Sequence, residues 1–193
     1  MKKITFVLSF LLFTVTAFAQ TTWKADNYHS KLGFTVTHLG IADVPGHFDK
    51  YDVTVTSSKA DFSDAVVELT ADVNSINTRV EPRDKHLKSA DFFDADKFPK
   101  MLFRSSSIKK TGNNKYNLSG NLTMHGVTKP VTMDLLYKGT VQNPMSKKQI
   151  VGFQVTGTIK RSDFNVGPGF PAPVLSDKVQ IKADGEFIQN ENK

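Results

Sequence analysis

Apolar and polar residues alternate along most of this chain with a period of two, the mark of strands that bury one face and wet the other. Leu32, Phe34 and Val36 alternate with Gly33, Thr35 and Thr37, and Val53 and Val55 with Thr54 and Thr56. The same period runs through Val67, Leu69, Ala71 and Val73, through Tyr116, Leu118, Gly120, Leu122 and Met124, and through Val131, Met133, Leu135 and Tyr137. Runs from Val151 to Ile159 and from Val179 to Phe187 complete the set. The intervening positions carry mostly Thr, Ser, Lys, Asp or Gln, as an antiparallel sheet with one wet face requires. Gly112-Asn113-Asn114 and His125-Gly126 separate neighbouring runs and accept the positive φ of tight hairpins. Roughly eight strands joined mostly by hairpins predict an all-β antiparallel barrel, because closure removes exposed edges.

Two stretches break the alternation. Glu81 to Lys88 has Pro82 in a first-turn position and Asp84 and Lys88 spaced i,i+4, which predicts one short helix. Ser162 to Asp177 contains Gly167-Pro168-Gly169 and Pro171-Ala172-Pro173, too much proline for a central strand. A connection of that length reads as a lid, a binding loop or an interface arm.

At the N-terminus, Met1-Lys2-Lys3 precedes an uncharged run from Ile4 to Phe18, and Ala17-Phe18-Ala19 precedes Gln20. These are the three parts of a secretory signal peptide, so residues 1–19 are expected to be removed and residues 20–193 to form one domain. The run is shorter than the roughly 18 to 20 residues that span a bilayer, and no later segment spans either. With no cysteine, the chain has no acylation site for a lipoprotein anchor and no disulfide, so its stability rests on a conventional core. The formal net charge of +6 is spread rather than clustered, without interleaved aromatics, which argues against nucleic acid as a partner.

Catalytic and metal signatures are absent. His29, His38, His47, His86 and His125 follow no ligand spacing, the serines sit in no nucleophile elbow, and no phosphate loop appears. Asp91, Asp94 and Asp96 read as a solvated face. Arg83 is open to two readings: a fork for an anionic head group, or a helix-pinning pair with Asp84 or Asp91. Gly120, Gly157, Ala183 and Gly185 at inward positions fit either a cavity or barrel corners. A barrel of this size is filled or holds one small ligand, and periodicity alone leaves both open.

A family resemblance narrows this. Trp23-x-x-Asp26-x-x-His29-Ser30, Gly33-Phe34-x-Val36-x-His38-Leu39-Gly40 and Val44-x-Gly46-x-Phe48 resemble the opening of the YceI-like family. Asn74 to Thr78, Arg83-Asp84-x-His86-Leu87-x-Ser89-x-Asp91-Phe92-Phe93-Asp94, Phe98-Pro99 and Phe103-Arg104-Ser105 resemble its middle. Gly120 to Val131 and Arg161-Ser162-Asp163-Phe164 resemble its last blocks, with Asn165 standing where a glycine is expected. The resemblance implies a lipocalin-like barrel with a long apolar channel, periplasmic, often dimeric, and associated with polyisoprenoids such as quinone or polyprenyl-phosphate chains or with fatty-acid amides. It implies no catalytic residues, cofactor or metal. Under this reading Phe34, Val36, Phe48, Leu69, Phe103, Leu122, Met133, Phe153, Val155 and Ile181 line the channel. His38, Arg83, His86 and His125 meet a head group at its mouth, and Phe164 joins the ligand-binding set. The expectation is an exported carrier of a long-chain amphiphile. Its rivals are a lipid-modifying enzyme with a histidine base and a filled-barrel stress or structural protein.

Overall fold

The computed structural model describes residues 20–190, so the leader expected at residues 1–19 lies outside the described residues. Ten strands form one antiparallel sheet: β1 (Thr21–His38), β2 (Ala42–Phe48), β3 (Tyr51–Ser57), β4 (Val66–Asp72), β5 (Ile76–Asn77), β6 (Lys100–Gly112), β7 (Lys115–Met124), β8 (Val127–Gln142), β9 (Gln149–Lys160) and β10 (Leu175–Gln189). Eight of them close into a barrel in the order β1, β3, β4, β6, β7, β8, β9, β10, with β10 returning to β1. Closure leaves the barrel wall no unpaired edge. The other two strands extend the wall at one end. The first half of β1 pairs with β3 through Trp23 and Val55, whereas its second half pairs with β2 from Leu32–Phe48 to His38–Ala42, and β2 in turn pairs with β5.

Bulges give the sheet its coil. β1 is interrupted between Ala25 and Ser30 opposite β10, β6 between Ser105 and Ser107, and β8 between Tyr137 and Gly139. Each extra residue bends its strand and tightens the local twist that closure needs. The hairpin from β7 to β8 turns on His125 and Gly126, both at positive φ as their sequence predicts (51° and 73°). Asn114 does the same in the turn from β6 to β7 (φ 56°).

Among the described residues the one α-helix, α1 (Glu81–Lys88), lies where expected, with Pro82 in its first turn. Its expected Asp84–Lys88 pair is not what holds it. Asp84 Oδ1 instead accepts the Thr78 backbone N–H at 2.8 Å and the Thr78 hydroxyl at 2.5 Å, which ties the helix to the segment before it. The Ser162–Asp177 stretch is more ordered than its prolines predict. A 3-10 turn covers Arg161–Phe164 and ends on Asn165 in the left-handed region (φ 55°). Asparagine tolerates that conformation better than other non-glycine residues, so it can stand where glycine is expected.

The interior has two layers. At the end carrying the short β3–β4, β6–β7 and β8–β9 turns, Trp23, Val55, Phe62, Tyr116, Leu118, Val151, Phe153 and Phe187 are buried against one another. At the other end, where α1 and the 161–175 segment cross the barrel, a second cluster gathers around Phe48, Tyr51, Met101, Leu122, Met133 and Phe164. Among the described residues no helix is long and apolar enough to cross a membrane.

Candidate functional site: a blind apolar channel

Inward-facing Phe34, Leu69, Phe103, Val155 and Ile181 are only half-buried although they lie inside the wall. Their residual accessible surface faces a cavity of about 460 Å³ along the barrel axis, lined almost entirely by aliphatic and aromatic side chains. The interior is therefore hollow, which resolves the alternatives that periodicity leaves open.

The small inward residues do not make the space by themselves. A Cβ on Gly46 would fall 2.3 Å from the Phe34 ring, and one on Gly157 would fall 2.1 Å from Met133 Sδ. These glycines are beds on which neighbouring large side chains lie, while those side chains frame the channel. Ala183 lines the channel directly.

One end is sealed. Phe62, in the β3–β4 turn, is 3% exposed and sits at the foot of the channel. Its ring lies 5.8 Å from Trp23, 5.1 Å from Tyr137 and 5.0 Å from Phe153, the last edge-to-face, which is the favoured geometry for aromatic pairs. Phe62 has a positive φ (58°), and the turn is held in that shape by polar anchors on both sides. Asp64 accepts the N–H groups of Ser58 (3.0 Å) and Lys59 (3.3 Å) and the hydroxyls of Ser57 and Ser58. Burial works to raise the Asp64 pKa, but these hydrogen bonds outweigh it and hold the carboxyl at about 2. The Tyr116 hydroxyl donates to the Asp61 carbonyl in the same turn.

The opposite end is the mouth. His38, Val44, Thr78, Arg83, His86, Leu87, Phe93, Phe170, Val174 and Leu175 line it. Phe170 stacks on Phe92 (4.7 Å, 24°) and meets the edge of His86 (5.6 Å), so the proline-rich segment rests on α1 and its following turn. That segment is fixed by Arg161, which is 7% exposed. Its Nε donates to the Ser176 carbonyl (3.1 Å), Nη1 to those of Val166 and Gly167 (3.0 and 2.6 Å), and Nη2 to those of Leu175 (3.0 Å) and Phe170. Arg83 is not paired with Asp84 or Asp91. Its Nε donates to Thr78 Oγ1 (2.7 Å) and its Nη2 to the Thr78 carbonyl (2.9 Å), while Asp91 meets His86 (3.2 Å).

Of the fifteen residues singled out from sequence, thirteen lie on the channel wall: Phe34, Val36, His38, Phe48, Leu69, Arg83, His86, Phe103, Leu122, Met133, Phe153, Val155 and Ile181. His125 and Phe164 do not. His125 sits in the β7–β8 turn against Phe98 (4.8 Å), with Nδ1 3.2 Å from the Phe164 carbonyl, and Phe164 is packed away at 1% exposure. Both face the packed shell outside the channel, so they support the mouth rather than line it. Phe62, Phe170 and Arg161 are wall residues that alternation cannot find, because all three lie outside regular strands. Of the three, only Arg161 has a local signal, the Arg161-Ser162-Asp163-Phe164 block.

On the outer side, Asp26, His29 and Glu186 converge at the β1 bulge, with His29 Nδ1 2.9 Å from Asp26 and 4.0 Å from Glu186. The hydrogen bond to Asp26, reinforced by its charge, raises the His29 pKa, and the same bond lowers that of Asp26.

A closed antiparallel barrel with one blind apolar channel, capped by a helix at the open end, defines a lipocalin-like calyx. The chain matches the YceI-like domain over residues 23–187 and belongs to that family. It is 37% identical over 175 residues to a UPF0312 protein of Staphylococcus aureus strain USA300, covering 89% of this chain and 99% of that one. Among solved structures it resembles Burkholderia cenocepacia BcnA, with a TM-score of 0.76 at 28% identity over 84% of this chain and 98% of the other. A polyisoprenoid binding domain from Saccharophagus degradans, implicated in plant cell wall breakdown, shares the fold with a TM-score of 0.63 at 18% identity, covering 90% of this chain and 100% of the other.

Proposed function

We propose that this protein is a carrier that holds the chain of a long amphiphile in its blind channel, an isoprenoid ahead of a fatty acyl chain. The observation that carries this reading is the channel itself: about 460 Å³ and lined mostly by aliphatic and aromatic side chains, with His38, Arg83 and His86 at its mouth and Ser30, Lys31 and Asp184 at the β1 bulge. Ligand sites commonly occupy about 300 to 1,000 Å³, and an elongated apolar one suits a chain rather than a compact polar metabolite. Burying each methylene there gains about 0.8 kcal/mol, so ten of them supply about 8 kcal/mol before the costs of association. Affinity is therefore expected to rise with chain length, each further methylene adding to the surplus over those costs without covalent chemistry. The description of the Saccharophagus degradans domain as polyisoprenoid binding supports an isoprenoid over an acyl chain.

We also propose that the carrier works in the periplasm after loss of residues 1–19. Fractionation with N-terminal sequencing tests this, with Gln20 as the expected first residue. The carrier reading is tested by organic extraction of natively purified protein followed by mass spectrometry. Near-stoichiometric isoprenoid is the expected result. Protein that yields no lipid and takes none up from a farnesol solution refutes it.

A further inference from the structure

The channel ends on one aromatic ring whose place is fixed from two directions. From the sides, Trp23, Tyr137 and Phe153 surround the Phe62 ring. From below, the turn that carries it is tied by Asp64 to Ser57, Ser58 and Lys59 and by the Tyr116 hydroxyl to the Asp61 carbonyl. The backbone at Phe62 is in the left-handed region (φ 58°), where glycine sits without strain and a bulky residue does not. The fold therefore accepts a local cost to keep a large ring at this point, and the polar ties leave that ring little room to yield.

The register of the wall gives the depth above this floor. Phe153, edge-on to the Phe62 ring, pairs with Gly185 of β10, and Leu175 stands at the mouth on the same strand. The wall thus runs about ten residues from rim to floor, which at ~3.4 Å per residue and a strand tilt of ~40° is about 25 Å. A barrel of eight strands leaves room for one small ligand, and the Phe34 and Phe103 rings stand in that space, so one chain fits abreast and lies extended. A zigzag of ~1.5 Å carbon–carbon bonds advances ~1.25 Å per carbon, so the channel takes about twenty backbone carbons, or about five isoprene units. Beside the floor the wall is polar, with Ser30 opposite Gly185 and Lys31 opposite Asp184. Ser30 Oγ donates to the Glu186 carbonyl (3.2 Å), and Asp184 accepts from Lys138 (2.6 Å) and Gln154 (2.7 Å). An apolar chain end gains nothing by turning into that margin.

We infer that Phe62 is a chain-length stop, the residue that sets how much of a chain this channel buries. This rests on the carrier reading above and adds to it a limit imposed by one side chain. Affinity climbs with length only until the tail meets the ring, and units beyond that remain outside the mouth in water. Val155 sets the depth just above the stop. It lies one inward step nearer the mouth than Phe153, opposite Ala183, and is half-buried on the channel wall, so a larger side chain there grows into open space.

The test uses natively purified, delipidated protein and three neutral alcohols, farnesol, geranylfarnesol and solanesol, with three, five and nine isoprene units. Each is delivered from cyclodextrin and competed against the fluorophore N-phenyl-1-naphthylamine. Comparing variant with wild type for one alcohol at a time cancels that alcohol's own solubility. Phe62→Gly, which removes the ring and the backbone strain together, is expected to bind solanesol at least about tenfold tighter than wild type while farnesol stays within about twofold. Val155→Phe, which raises the floor, is expected to weaken geranylfarnesol at least about tenfold and to leave farnesol within about twofold. A loosened fold weakens every chain, so a gain confined to the longest one is not a stability effect. A variant that shifts all three alcohols alike, solanesol unchanged in Phe62→Gly, or geranylfarnesol unchanged in Val155→Phe overturns the stop and leaves the carrier intact. If Phe62→Gly does not fold, the Val155→Phe result decides alone. Failure of all three alcohols to displace the fluorophore from wild type overturns the carrier itself.

Discussion

Replacing Phe62 with alanine removes the ring that seals the foot of the channel. Phe62 is 3% exposed and has Trp23, Tyr137 and Phe153 within 5.8 Å centroid to centroid. Buried Phe→Ala changes cost about 3 to 5 kcal/mol. One side of this ring faces the channel rather than packed protein, so the lower figure applies, about 3 kcal/mol. The backbone adds a second, independent check. At φ 58° any residue with a Cβ is strained, and glycine is not. Phe62→Gly is therefore expected to be about 1 kcal/mol more stable than Phe62→Ala, the reverse of the usual order. Urea unfolding of delipidated protein measures both values. The emission of Trp23, the chain's one tryptophan, reports the loss of its neighbour. A loss below about 1 kcal/mol for alanine, or a glycine variant less stable than the alanine one, would refute the assignment of Phe62 as a strained plug.

Three further outcomes follow from local geometry. Gly120→Ala is expected to cost about 2 to 3 kcal/mol and Gly157→Ala about 1, because a Cβ at Gly120 meets the Arg104 backbone carbonyl at 2.5 Å while one at Gly157 meets the movable end of Met133; equal losses would count against this. The Asp64 pKa falls from 3.8 unfolded to about 2 folded, so its bonds stabilise the turn above pH 4 and that contribution disappears as pH falls toward 2. Asp64→Asn should therefore lose about 1 kcal/mol at pH 7, discounted for its exposure, and only a small fraction of that at pH 2, where the folded carboxyl is half protonated. NMR titration should place His29 above its ordinary 6.5 and return it toward that value in Asp26→Asn. Because the folded pKa is the higher one, the contribution of that pair is complete below the unfolded pKa and fades as pH rises through the folded value.

Much of the barrel is legible in the chain because strand alternation is a local property. Tyr116 to Met124 and Val179 to Phe187 face inward at every second position, as their pattern says. The turn at His125-Gly126 and the helix at Glu81–Lys88 are equally local and fall where expected. What alternation could not reveal depends on distant partners. Nothing in the sequence near Phe62 says that a turn residue will meet Trp23, Tyr137 and Phe153. Arg161 is similarly opaque, since its partners are carbonyls up to fifteen residues away. His125 was drawn to the mouth by its chemistry, but the hairpin turns it onto Phe98. The hollow itself is a difference between side-chain volumes summed around a closed ring, so no single strand encodes it.

The sealed foot makes the calyx a room with one door. On the proposed reading, a chain held there would enter and leave at the mouth, past Phe170, His86 and Arg83. On the carrier reading proposed above, a chain would not be threaded past Phe62 from donor to acceptor, and a receiving surface would have to approach the face that the supplying surface had just left. Under that proposal the direction of transfer would come from which surface holds the chain more tightly, not from an entrance and an exit at opposite ends of the barrel.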